Sequence, residues 1–314
     1  WGRDPMGTYI LRRLLQMIPV VLGATFFIFM LVYALPGEPW EGRCGERPCS
    51  DAYIAKFKQD YNLDKPVLVQ YGLYLGKLIH GDLGTNYYNN QVSDELLLRY
   101  PTTIKLALVA LIVQLVVGIM AGVLAGVRRG SFIDSLVTIS TLVVISIPIF
   151  VIGSLAQFTI LTLGLNQTIP VTASAGTMSQ LILPGVVLGS LSVAYVARLT
   201  RANLVENLRA DYVRTAKAKG LSWGRTVGLH TLRNSLIPVI TFIGYDVGQL
   251  MGGAVVTERI FNINGIGGFI FRSIDQLDGV SVVGAVTVLV LIYLLANLVV
   301  DVMYGVLDPR ISHD

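Results

Sequence analysis

The sequence predicts an all-α polytopic membrane protein with six transmembrane helices and a small external cap between the first and second. Three observations carry this fold class. Six apolar runs are each long enough to cross a bilayer. Hydrophobic residues make up 53% of the 314 and charged residues only 14%, against about 25% charged in an ordinary soluble domain. The basic residues, finally, gather in alternate loops.

A bilayer core about 30 Å thick takes about 20 residues of helix at 1.5 Å each. The first run, 14–35, outlasts the roughly 7–15-residue apolar core of a signal peptide, and no Ala-x-Ala site follows it before Pro36. It is therefore expected to be retained, making 6–35 an N-terminal transmembrane segment. Residues 1–5, ahead of Met6, read as an appended remnant outside the fold. Residues 36–101 form the one sizeable polar stretch, the external cap. There Tyr53, Ile54, Phe57, Tyr61, Leu63, Val67, Leu68, Tyr71, Leu75 and Ile79 recur at near-helical spacing, which predicts short amphipathic helices. Cys44 and Cys49 lie in the cap and are candidates for a short-loop disulfide in an oxidising exterior, with two free thiols as the alternative.

The membrane core, 102–306, holds the other five spans at 103–127, 136–163, 181–199, 235–257 and 280–306, and a tail follows at 307–314. Pro148 falls near the middle of the third span. Its missing amide and ring clash are expected to kink that helix rather than end it. Gly118, Gly122 and Gly126 in the second span and Gly244, Gly248 and Gly252 in the fifth recur every four residues. Each trio shares one helix face and lets another backbone approach. Packing within the bundle is the expected use, and a homodimer seam is the alternative.

Orientation follows from the basic residues beside the loops. Arg12 and Arg13 precede the first span, and Arg128 and Arg129 join the second to the third. Arg201, Arg209, Arg214, Lys217, Lys219, Arg225 and Arg233 crowd the connection between the fourth and fifth. The loop 164–180 has no Lys or Arg, and beyond the fifth span Arg259 and Arg272 meet Glu258, Asp275 and Asp278. Both termini are thus expected on the cytoplasmic side of the membrane.

Composition also excludes chemistry. Two cysteines and three histidines leave too little for a zinc finger, an iron–sulfur cluster or a multi-histidine metal site, so no metal is expected. The fragment Gly72-Leu-Tyr-Leu-Gly76-Lys77 has the wrong spacing for a phosphate loop, and no other fragment comes closer. The chain is expected to be no enzyme and to hold no cofactor of its own.

The connection 200–233 is too patterned for a bare linker. Its Ala, Lys and Arg content favours helix, Asp211 suits the N-terminal dipole and Gly220 is placed to stop it. A basic helix lying on anionic lipid would carry large apolar residues opposite its charge. Here that face is mostly Ala, which suits a protein groove.

The run Asp211-Tyr-Val-Arg-Thr-Ala-Lys-Ala-Lys-Gly-Leu-Ser222, followed by His230-Thr-Leu-Arg-Asn-Ser-Leu-Ile-Pro238, resembles the EAA loop of the dipeptide and oligopeptide ABC importer permeases. The resemblance covers nearly the whole chain from Tyr9. It includes Tyr9-Ile-Leu-Arg-Arg13, Leu35-Pro-Gly37, Asn62-Leu-Asp-Lys-Pro66, Gly81-Asp-Leu-Gly84, Arg198-Leu-Thr-Arg201, Gly252-Gly-Ala-Val-Val-Thr-Glu258, Phe261 with Gly265-Ile-Gly267, and Asp308-Pro-Arg-Ile311.

This resemblance implies the type I ABC importer permease fold, in the plasma membrane of a bacterial cell. It further implies a second homologous permease as heterodimer partner, two cytoplasmic ATP-binding subunits that carry ATP and Mg, and an external peptide-binding protein. It makes Asp211, Tyr212, Val213, Arg214, Thr215, Ala216, Lys217, Ala218, Lys219, Gly220 and Leu221 the coupling helix that docks on an ATPase subunit. Arg214-Thr-Ala216 stands where the founding pattern has Glu-Ala-Ala, so no acidic contact is made at that position.

Polar groups at membrane depth are expected to face the substrate path or a partner. Gln114, Gln157, Tyr245, Asp246, Gln249 and Asn297 are the candidates. Asp246 is the most informative, because a central carboxylate costs about 2.5–3.5 kcal/mol on insertion scales. It is suited to attract a peptide's amino terminus, with an internal ion pair or access to water as the alternatives. Glu258 and Arg259, at the outer end of the fifth span, are outer-gate candidates, against an ordinary solvated pair. Asp301 reads as structural.

Three other readings compete. A nickel-chelate permease shares this loop and scaffold. An autonomous secondary transporter would want a pair of midplane carboxylates, which the spans lack. An intramembrane hydrolase would want Ser and His together, yet His80, His230 and His313 all fall outside the spans.

Overall fold

Apolar length and the positions of proline and glycine decide where the helices run. The computed structural model describes residues 6–33, 40, 44 and 48–307. The 1–5 leader, the 308–314 part of the tail, Leu35-Pro-Gly37 and the Asp308 motif lie outside the described residues. Among those described the fold is helical, and the one extended pairing is an isolated bridge between Thr85 and Gln91. Four helices are long and apolar enough to cross a membrane: Leu11–Val32, Val92–Val127, Met178–Asn207 and Gly279–Val300. Two bent pairs bring the number to six when each pair is one span.

The chain divides into two compact units, 1–103 with 264–314 and 104–263. The last span thus groups with the first span and the cap, not with the rest of the predicted core.

In the first unit, α1 (Met6–Tyr33) packs along α14 (Gly279–Leu307). Between α1 and the second span lie α2 (Asp51–Asp60) and α3 (Val67–Ile79), at the positions the amphipathic spacing marks. Ser50 caps α2 by accepting the Tyr53 amide, and α3 starts after Pro66, whose fixed φ suits a helix entrance. Cys44 and Cys49 are joined by a disulfide, with Cα atoms 5.3 Å apart. Trp40, Phe57 and Val280 form the local core, with Tyr61 against it. Tyr71 and Tyr74 of α3 meet the Phe29 ring of α1, and the Tyr74 hydroxyl pairs with that of Thr287 at 2.9 Å. The buried Asp278 carboxylate accepts the Tyr87 amide at 2.7 Å and the Ser281 hydroxyl at 2.6 Å. The helix α4 (Val92–Val113) begins well before the predicted start of the second span at residue 103. Helix α13 (Ile266–Asp275) buries Ile266, Phe269 and Ile270.

The second unit holds the continuation of α4 through a π turn (Gln114–Gly118) into α5 (Ile119–Val127). That helix packs on α8 (Met178–Asn207) through the predicted glycines. A Cβ on Gly118 would meet Val196, on Gly122 the Ala197 carbonyl and on Gly126 the Leu204 side chain. The trio serves packing within the bundle. Gly252 differs, since a Cβ there would meet nothing within 4 Å.

The third span is where expectation and structure part. Proline does not kink one helix here but separates two, α6 (Phe132–Ser146) and α7 (Ile149–Thr162), bent by 106°. The cause is local. Proline drives its predecessor out of the helical region, and Ile147 is extended at φ −102°, ψ 127°, so the ladder stops. The pair still traverses the unit. Asp134 at its start meets Arg201 near the end of α8, while the loop beyond its end reaches Phe261, where the Ala173 amide donates to the Phe261 carbonyl at 2.9 Å.

Candidate functional site

Two features of the second unit collect the residues singled out by sequence. The first is the connection after α8. It folds as α9 (Asp211–Ala218), α10 (Trp223–Arg225), a π turn (Thr226–Thr231), α11 (Leu232–Ser235) and then α12 (Ile237–Ile260). Asp211 occupies the first turn of α9, and Gly220 ends the helix at φ +80°. The Leu221 amide reaches the Ala216 carbonyl at 3.2 Å and the Gly220 amide that of Lys217 at 2.9 Å. These two bonds are the Schellman pattern that a left-handed residue makes possible.

Only Val213 and Ala216 of α9 are buried, and the helix packs beside the neighbouring π turn. Part of the small apolar face is thus covered within the chain, while Ala218 stays exposed. The exposed residues of α9 are Asp211, Tyr212, Arg214, Thr215, Lys217 and Ala218, and Lys219 just beyond its end is exposed as well. Tyr212 donates its hydroxyl to Asn207 at 2.9 Å, Arg214 lies 3.3 Å from Asp211, and the Lys217 ammonium sits 4.4 Å from the centre of the Trp223 ring. Lys217 and Trp223 brace α9 against α10, so the loop is a folded element with a polar, basic outer surface.

The second feature is a cavity of about 370 Å³ between α8 and α12, with Ile149 of α7 at its edge. Asp246, Tyr245 and Gln249 line it from α12, and Ser192 and Tyr195 line it from α8. Asp246 is 8% exposed. The Ser192 hydroxyl and the Gln114 amide lie beside its carboxyl. Its Oδ2 and both amide atoms of Gln114 are nonetheless buried without a formed hydrogen bond. Gln249 donates its Nε2 to the Tyr245 hydroxyl at 3.0 Å, and the Tyr195 and Phe242 rings stand 6.0 Å apart.

Four of the six path candidates, Gln114, Tyr245, Asp246 and Gln249, thus come together. Gln157 does not join them, because its Nε2 donates to the carbonyls of Val171 at 2.8 Å and Ile260 at 3.1 Å, fastening α7 to the adjoining loop. Asn297 lies half-buried on α14, in the other unit. Glu258 is fully buried at the end of α12 while Arg259 is exposed, so Glu258 is not half of a solvated pair. Among the described residues no group of three His, Cys, Asp or Glu side chains is placed to hold a metal. Sequence reasoning missed Ser192 and Tyr195. Their signal was a polar residue in each of two successive turns of an otherwise apolar span.

The chain is similar to known proteins along nearly its whole length. The family model described as "Binding-protein-dependent transport system inner membrane component" matches residues 118–313. Its N-terminal counterpart, "Binding-prot-dependent transport system membrane comp, N-term", matches residues 6–107. The dipeptide transport system permease protein DppB of Alkalihalophilus pseudofirmus is 36% identical over 334 residues, spanning 98% of this chain and 100% of that protein. The di/tripeptide transport system permease protein DppB of Pseudomonas aeruginosa is 38% identical, spanning 98% and 99%. The glutathione transport system permease protein GsiC of Salmonella paratyphi A is 36% identical, spanning 98% and 100%. With the helical spans and the folded loop after α8, these matches establish that the chain belongs to the binding-protein-dependent transport system inner membrane component family, as a multi-pass permease subunit of an ABC importer.

Proposed function

We propose that this permease imports small peptides, forming half of a translocation pathway whose other half is a second homologous permease. One observation carries the cargo reading: relatives named for dipeptides, di- and tripeptides, and glutathione, itself a tripeptide, align over nearly the whole chain. The complex would be completed by two ATP-binding subunits, which hold ATP and Mg, and by an external peptide-binding protein. The chain carries no ATPase site of its own on this reading.

Within it, α9 is the coupling helix, with residues 211–221 docking on an ATPase subunit. Support comes from its outward Tyr212, Arg214, Thr215 and Lys219, and from the rigid seat provided by Val213, Ala216 and the Lys217–Trp223 contact. An ATPase shifts a two-state transporter only through contacts that differ between the states, and a braced lever supplies such contacts where a floppy loop would not. The concentration of Arg and Lys after α8 supports placing this side, and both termini, in the cytoplasm. Glu258 and Arg259 then fall at the outer end of the pathway, where the two residues would help close it.

Purification through a tag on this chain from its native host tests the reading. Recovery of a second permease and ATPase subunits, with hydrolysis stimulated by peptide-loaded binding protein, is the expected result. A chain recovered alone that moves solute down an ion gradient would replace this reading with a secondary transporter, and stimulation by a nickel chelate in place of peptide would replace the cargo.

A further inference from the structure

The carboxyl of Asp246 presents an unresolved electrostatic situation. It sits near the middle of α12 and lines the α8–α12 cavity, yet among the described residues no Lys or Arg pairs with it. Its polar neighbours, Ser192 and Gln114, are neutral. Gln114 is fully buried in the π turn, a geometry that often accompanies functional sites, and neither of its amide atoms is engaged elsewhere. Neutral groups beside a carboxylate orient it without cancelling its charge. The arrangement therefore keeps a place for a cation on the cavity side.

The cavity wall fits an ammonium group. Aromatic faces attract cations, and Tyr195, Phe242 and Tyr245 surround the approach to Asp246. Leu188, Leu191 and Leu250 provide apolar surface beside it. At about 370 Å³ the cavity is at the small end of the range of about 300–1,000 Å³ typical of ligand pockets.

We propose that Asp246, oriented from behind by Gln114 and flanked by Ser192 and the aromatic rings, binds the free α-amino group of the peptide in transit. This inference rests on the small-peptide reading above. It assigns the permease itself a recognition step, in which a ligand without a primary amine is held less well inside the membrane than one that has it.

The test uses the complete transporter in proteoliposomes, with radiolabelled Ala-Ala and its binding protein, and the same complex in nanodiscs without the binding protein. Wild-type nanodiscs should bind Ala-Ala saturably, and N-acetyl-Ala-Ala should not compete. Asp246→Asn should lower Ala-Ala binding and uptake by at least about tenfold, the loss expected when a charged hydrogen bond is removed, while Asp246→Glu retains most of both. Wild-type uptake by Asp246→Asn overturns the proposal and leaves the peptide reading intact. Loss of the second permease from purified Asp246→Asn complexes also overturns it, because the partner subunit then supplies the cation. A wild-type complex that hydrolyses ATP but takes up no peptide overturns the cargo reading and this ligand together.

Discussion

Arg201 of α8 grips the carboxylate of Asp134 at the start of α6 with two guanidinium nitrogens, Nε on Oδ1 and Nη2 on Oδ2 at 2.8 Å. Oδ2 also accepts the Gly130 amide at 2.9 Å, so the turn into α6 and the end of α8 share one carboxylate. Planar two-point contact of this kind is specific to arginine, and lysine does not reproduce it. Asp134→Asn and Arg201→Lys should each destabilise the chain by about 1.5–3 kcal/mol, the range for hydrogen bonds to charged groups. The lower end is expected, because the Arg201 side chain keeps 31% of its exposure. Thermal unfolding in detergent should show the double variant losing less than the sum of the two, as shared partners require. Full additivity would mean the contact contributes nothing.

Glycine spacing makes a second expectation that separates two faces. A Cβ on Gly122 would fall 2.5 Å from the Ala197 carbonyl oxygen and 2.5 Å from Thr200 Cβ, both on α8. Backbone cannot move aside as a flexible side chain can, so Gly122→Ala should cost about 1–3 kcal/mol through overpacking. Gly252→Ala meets nothing within 4 Å. In the isolated chain it should be neutral, or stabilising by about 0.5–1 kcal/mol from the helix preference of Ala over Gly. Membrane abundance and melting temperature of the two variants report the contrast, and equal losses would contradict the packing described.

The spans were legible because apolar length is a one-dimensional property, and so was the stop of α9, because Gly220 can take a positive φ without strain. The glycine trio of 118, 122 and 126 was legible for the same reason as any helix face, its period. The break at Pro148 was not. A proline in an apolar run signals disruption, but whether the helix bends or ends depends on whether Ile147 can stay helical, and it does not. Both π turns were invisible, since an extra residue in a turn leaves no compositional mark and answers to what surrounds it. At the site, Asp246 stood out as a lone carboxylate in an apolar run. Ser192 and Tyr195 did not, because a helical serine is cheap and a tyrosine packs like any ring. Gln157 showed the converse, a conspicuous polar residue occupied by two backbone carbonyls.

A pH effect follows from Tyr74, outside the spans. Burial pushes its phenol from 10.0 up to about 12, the hydrogen bond with Thr287 offsetting only part of the shift. The folded state therefore holds the proton where the unfolded state releases it. The group's contribution is intact below about pH 10 and is lost as pH rises from there toward 12, at about 1.4 kcal/mol per unit. Tyr74→Phe removes the titration while keeping the ring. It should be less stable than wild type at neutral pH by about 1 kcal/mol, for the lost hydroxyl pair, and the two stabilities should converge and cross as pH climbs above 10. Parallel curves between pH 9 and 11.5, measured by thermal unfolding, would show the phenol is not held neutral.

Gly220 sets the local backbone geometry at the end of α9. With φ at +80° it closes α9 through the paired bonds from Leu221 and Gly220 to the carbonyls of Ala216 and Lys217. A Cβ there would meet no atom within 4 Å, so any cost of substitution is conformational, not steric crowding from neighbours. Left-handed backbone costs an ordinary residue about 1–2 kcal/mol and suits β-branched side chains worst, whereas asparagine tolerates it. Gly220→Val should therefore fray the end of α9 and shift the seat of Val213 and Ala216. On the coupling reading, peptide uptake falls and ATP hydrolysis loses its stimulation by loaded binding protein, while the melting temperature of the complex drops little. Gly220→Asn should behave close to wild type in all three measurements. Normal coupled uptake by Gly220→Val would mean that the stop of this helix has no part in transmitting ATPase closure. A collapse in Gly220→Asn as deep as in Gly220→Val would mean that the open surface over Gly220, not its backbone, is what the ATPase subunit reads.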